Sequence, residues 1–117
     1  MTRPTVDWLR DARAYARSAL DDGGGLSAAT LATAPQPLHA VLYDLAIVGE
    51  ALGKVPVEVR GLAPTIPWRA ITNMRNLIVH AYWQVDEEIV ASVLERDLLP
   101  LIAALDRLVA ALDGKDA

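Results

Sequence analysis

With 117 residues, no cysteine and a net charge of −4, the chain has room for one hydrophobic core and excludes disulfide scaffolds, thiolate nucleophiles and cysteine-bound zinc. The acidic balance argues against a broad surface that neutralises many phosphates, while leaving room for a small local basic site. Hydrophobic residues make up 53% and the mean hydropathy is +0.25. That is high for a small domain with much surface to cover, so part of the apolar surface is expected against a partner, most simply a second copy.

The opening stretch, MTRPTVDWLRDARAY, is charged from its third residue and carries no apolar leader. No apolar run approaches the roughly 18 residues needed to span a bilayer. The expectation is a cytoplasmic protein without a membrane segment. Strand alternation and internal repeats are missing, and segments of helical period are punctuated by Pro and Gly. Together these predict an all-α bundle of four to five helices, a single domain over residues 1–117 with a short flexible tail at about 114–117.

The first helix is predicted from about Val6 to Leu20, capped by Thr5 and ended by Gly23 to Gly25. Trp8, Ala12, Tyr15 and Ala19 share one face, and Arg10, Arg13 and Arg17 line another. Ser27 is placed to cap a short helical turn. A second long helix, about Pro37 to Lys54, buries Val41, Leu45, Val48 and Leu52, and Gly49 offers a site of close helix contact. A proline-punctuated connector from Val55 has room for one short helix begun at Pro56. Pro67 then fits the first turn of the next helix. VDEEIV, from Val85, signals another start, with Asp86 as cap and Glu87 and Glu88 favourable to the helix dipole. Pro100 predicts a break or kink near Asp97, after which Leu101, Leu105, Leu108 and Leu112 close the bundle.

The stretch RNLIVHAYW, residues 75–83, places Arg75, His80 and Tyr82 in an otherwise apolar run. At about 100° per residue, Ile71, Met74, Ile78, Ala81 and Tyr82 cluster on one arc, and Arg69, Thr72, Asn73, Asn76 and His80 on the opposite one. Arg75 falls near the apolar arc, about 140° from His80, so one ideal helix does not make them converge. Tyr82 lies on nearly the same side as Arg75. Spacing alone favours an Arg at the core edge beside a packing Tyr.

The pattern Arg, four residues, His, one residue, Tyr nevertheless resembles the HEPN superfamily, particularly the HepT-like toxins encoded beside minimal nucleotidyltransferases. LYDLAIVGEALGKV, from Leu42, resembles that family's second helix, and PTIPWRAITNMRN, from Pro64, its lead into the motif. VDEEIVASVLERDLLPLIAAL resembles its closing helices. The resemblance spans about Leu38 to Leu105.

It implies a two-fold homodimer whose motifs meet at a shared cleft, which would remove the spacing problem. It further implies the toxin of a type VII-like toxin–antitoxin pair, a metal-independent endoribonuclease needing no cofactor. The RNA 2′-hydroxyl would be the nucleophile, His80 would transfer protons, Arg75 would stabilise the phosphate and Asn76 would orient either group. A partner nucleotidyltransferase antitoxin would silence the chain by adenylylating Tyr82, using its own ATP and metal. Packing at the helix end is the other reading of Tyr82. Glu50 would pair with Arg75 or tune His80, or is a solvated ion pair. The arginine stripe would touch RNA or the antitoxin, or is a solvated face. The competing reading of the whole chain is a non-catalytic helical dimer that binds a nucleotidyltransferase or presents its substrate. His39 lacks ligand partners, and GGGLS lacks the residues that complete a phosphate-binding loop.

Overall fold

The computed structural model describes residues 3–115, and among them every regular element is helical. The elements are α1 (Thr5–Gly23), α2 (Ala28–Thr33), α3 (Pro35–Gly53), α4 (Val57–Arg60), α5 (Trp68–Ala81), α6 (Glu87–Ser92) and α7 (Leu98–Lys115). A 3-10 turn, Tyr82–Gln84, follows α5, and a π-helical stretch, Val93–Asp97, joins α6 to α7. This is the expected all-α bundle. Gly114 and Lys115 of the anticipated tail belong to α7, and the rest of that tail lies outside the described residues.

Local chemistry explains most of the boundaries. Thr5 is the first residue of α1 rather than its cap. Pro4 takes the capping position, with its carbonyl accepting from Asp7 N at 3.0 Å. The helix ends where Gly24 N donates to Leu20 O at 2.8 Å and Gly25 adopts a φ of 84°, a left-handed conformation natural to glycine. Ser27 caps α2 by accepting from Thr30 N at 3.1 Å. Asp86 caps α6 by accepting from Glu88 N at 2.8 Å. The break or kink expected near Asp97 takes the form of the π-helical stretch Val93–Asp97, which disturbs the helix there without ending it. Pro100 lacks the N–H that Arg96 O would accept, and its ring needs room in the preceding turn. The π-helical stretch supplies that room.

The bundle is organised around α3, which packs between α1 and α5, while α1 also meets α7. Leu9, Ala12, Ala16 and Ala19 of α1 are fully buried, and Val41, Leu45, Val48 and Leu52 of α3 are buried as the periodicity predicts. Leu98, Leu101, Leu105 and Leu108 of α7 join this core. A fully buried leucine of this kind contributes about 2 kcal/mol of transfer free energy. A Cβ at Gly23 would run into the Val41 side chain and lie 3.2 Å from Leu94 Cδ1, so glycine permits close packing there.

The arginine stripe of α1 is a largely solvated face that is ion-paired to α7. Arg13 and Arg17 reach the same Asp106 carboxylate at 3.0 and 3.3 Å, and Arg10 reaches Asp113 at 2.6 Å. By contrast α5 buries only Ile78. Its Ile71 and Met74 line an open groove of about 790 Å³ shared with Val93, Leu98 and Leu101. No described helix is long and apolar enough to cross a membrane.

Candidate active site

The α3–α5 crossing is set by Gly49. A Cβ there would collide with Arg75 Cβ and lie 2.9 Å from its Cγ and 3.2 Å from Ile71 O, so only glycine admits the Arg75 stem at this depth. The close contact read from the sequence is thus present, and the motif arginine is what fills it.

From that stem the guanidinium reaches back to α3. Arg75 Nη2 lies 2.8 Å from Glu50 Oε2, and Nη1 donates to Asn76 Oδ1 at 2.9 Å. Lys54 Nζ stands 3.8 Å from the other Glu50 oxygen, one helical turn along. These groups, with Thr72 and Gly53, line a cleft of about 180 Å³. Two cations against one carboxylate make it locally positive in an acidic chain. Glu50 holds the Arg75 fork in place, and Asn76, accepting through its oxygen, keeps its N–H donors free. Such a cleft can receive an anionic oxygen in exchange for part of the Glu50 contact.

Of the predicted residues, the structure joins Glu50, Arg75 and Asn76 by direct polar contacts, and neither His80 nor Tyr82 takes part in them. His80 is exposed, and its ring makes no hydrogen bond among the described residues. It follows Asn76 by one helical turn on the polar face of α5 and projects from a different side than Arg75, as the spacing predicts. Tyr82 departs from the packing role. Ala81 takes φ −151° and ψ 49°, which ends the α-helix and swings the tyrosine off the apolar arc. Its side chain is 60% exposed, and its ring meets Trp83 edge-to-face at a centroid distance of 5.5 Å.

Sequence reasoning missed Lys54, Thr72 and Trp83. Lys54 carried a usable signal, since it follows Glu50 by four residues on α3. Another missed group is Asp44, a buried carboxyl on the α1 side of α3, with Oδ2 lacking a hydrogen-bond partner. Burial first, then hydrogen bonding with Asp22, raises this carboxyl to about 7, with Ser18 pulling it the other way. Its position between Val41 and Leu45, on the predicted core face, was the available clue.

An all-α bundle with an Arg–His motif helix crossing a glycine defines the class. The chain belongs to the HepT-like family, described as ribonuclease HepT-like, whose model matches residues 9–108. A Thermococcus cleftensis protein named "Probable ribonuclease HepT" is 35% identical over 69 residues, covering 59% of this chain and 63% of that protein. A Methanocaldococcus jannaschii protein named "Putative RNase MJ1216" is 28% identical over 78 residues, covering 67% of this chain and 64% of its own length. The chain thus spans less than two thirds of these relatives. No solved structure gives a significant match.

Proposed function

We propose that this chain is an endoribonuclease and the toxin of a toxin–antitoxin pair. The observation that carries the reading is the positive cleft in which Gly49 admits Arg75 and Glu50 and Asn76 orient it, on the helix that also bears His80. Family membership and the relatives' printed names support it.

In the proposed reaction the RNA 2′-hydroxyl attacks the adjacent phosphorus and the bond to the 5′-oxygen breaks, giving a 2′,3′-cyclic phosphate and a 5′-hydroxyl. His80 takes the hydroxyl proton or protonates the departing oxygen. Arg75, assisted by Lys54 and the Asn76 amide, stabilises charge gathering on the phosphate. One protomer does not converge these groups, so the reading includes a two-fold homodimer whose partner supplies the missing group. The open groove flanking α5, with exposed Ile89 and Leu99 close to it in sequence, supports a second copy as its cover. Tyr82, exposed at the end of the same helix, is accessible to an adenylylating nucleotidyltransferase. A nucleotide attached there would obstruct RNA by bulk and by negative charge. The setting is the cytoplasm.

The separation of His80 from Arg75 within one protomer favours one competing reading, a non-catalytic dimer that binds a nucleotidyltransferase. Incubation of the purified protein with RNA decides between them. Cleavage ending in 2′,3′-cyclic phosphate and abolished by His80→Ala is expected, and cleavage undiminished in that variant removes its acid–base role. With an active partner nucleotidyltransferase and ATP, mass should be added at Tyr82. An unmodified Tyr82 removes the off-switch, and a monomer in light scattering removes the shared cleft.

A further inference from the structure

Trp83 is the most exposed aromatic residue among those described, at 68%, and the fold makes little use of it. The other two tryptophans are engaged. Trp8 lies beneath the Arg3 guanidinium, 4.3 Å from its ring centre, and Trp68 donates its indole N–H to Ala63 O at 3.1 Å while Arg60 covers its ring. Trp83 has no hydrogen bond and no cation on its ring among the described residues. Its one aromatic neighbour is Tyr82, at 76° between ring planes. The 3-10 turn holding both rings is pinned by Val85 N donating to Tyr82 O at 3.1 Å.

The surroundings favour a small flat ligand over a protein surface. Around the aromatic pair in sequence, His80, Gln84 and Asp86 are exposed polar groups, and Val79 is the one further exposed large apolar residue from 78 to 86. A docked protein requires a continuous apolar patch of several hundred Å², whereas a nucleobase requires one open π-face near a place for its phosphate. Trp83 follows His80 by three positions, across the Ala81 backbone that ends α5, so the exposed ring and the exposed imidazole lie at the same end of the motif helix. The chain's charge points the same way. With a net charge of −4, it cannot draw its RNA affinity from many phosphates, and stacking supplies affinity that does not depend on them.

We propose that Trp83 is a base-stacking platform of the RNA site, seating an unpaired nucleobase next to the phosphate handled by Arg75 and His80, so that the substrate is single-stranded where it is cut. This rests on the ribonuclease reading and adds to it the form of RNA recognised.

The test uses the full chain and a fluorescently labelled single-stranded 2′-O-methyl RNA oligomer, which lacks the attacking hydroxyl and stays intact, with binding followed by anisotropy. Trp83→Ala is expected to weaken binding by about 5- to 150-fold, the range for loss of one stacked base. Trp83→Phe should retain much of the affinity, and the same sequence as a duplex should bind less well. Because Trp8 and Trp68 remain, quenching of tryptophan fluorescence by the oligomer should fall sharply in Trp83→Phe. This readout decides the matter even if Trp83→Ala fails to fold. Unchanged affinity and unchanged quenching overturn the platform while leaving cleavage of RNA by the wild type, and the ribonuclease reading, in place. A Trp83→Ala protein that becomes a smaller species in light scattering overturns it in favour of a protein contact. A wild type that neither binds the oligomer nor cuts RNA overturns both readings together.

Discussion

The two flanks of α3 are built to different standards. Towards α1 and α7, four α1 residues from Leu9 to Ala19 are fully buried, Leu105 closes over them, and arginines of α1 are tied to Asp106 and Asp113. Towards α5, that helix buries one residue, Ile78, and the main polar tie is Arg75 to Glu50. The first flank makes the domain stand. The second spends its side chains on a cleft and an open groove, which leaves that flank accessible.

The comparison can be broken by substitution. Arg75→Ala should lower ribonuclease activity about 10²- to 10³-fold in single-turnover kinetics, as for loss of a donor to developing charge, with little change in melting temperature. A large drop in melting temperature with activity intact would place Arg75 among the structural residues. Leu105→Ala should cost about 2–5 kcal/mol in urea unfolding, by leaving a void in the α1–α7 core. Gly49→Ala should cost about 1–3 kcal/mol and also weaken activity, since α5 must move away from α3; unchanged values for both would show that the crossing is loose.

Asp44 gives a pH test on the structural flank. Its carboxyl is raised to about 7 in the folded chain from an ordinary 3.8, so the folded state holds a proton that the unfolded state has released between those values. Stability should therefore fall as pH rises from about 4 to 7 and level off above. Asp44→Asn should flatten that slope and raise neutral-pH stability by an amount on the order of 1–2 kcal/mol. A variant with the wild-type slope would assign the pH dependence elsewhere. The smallest effect is expected of Asp106→Ala, which should cost about 1 kcal/mol or less because its arginine partners are solvated. A cost equal to that of Leu105→Ala would mean that the ion-paired seam contributes as much as the packing.

Most of the scaffold was legible because its signals are local. Ser27 and Asp86 announce helix starts, Gly23 to Gly25 an end, and the spacing of Val41, Leu45, Val48 and Leu52 a buried face. What escaped depends on which helices meet. Arg13 and Asp106 are 93 residues apart, so no periodicity links them. The Glu50–Arg75 pair, by contrast, was anticipated from the resemblance, and it forms where α3 and α5 cross at Gly49. Tyr82 was misplaced for a different reason: an ideal helix was extended one residue beyond the Ala81 backbone that ends it. The angular separation of Arg75 from His80, conversely, was correctly read from spacing and is the feature that makes a second protomer part of the proposed site.

The π-helical stretch before Pro100 bears on how the chain length can change. Buried residues recur at Val90, Leu94 and Leu98, four apart, and then at Leu101, Leu105 and Leu108, three and four apart. Four-residue steps drift by about 40° each on an ordinary α-helix, and the wide turn absorbs that drift. Removing one residue from positions 93–97 would restore the three-four alternation and bring the flanking buried faces into ordinary α-helical phase. The segment is thus the place within the helices where loss of one residue should be tolerated best, a tolerance usually reserved for loops.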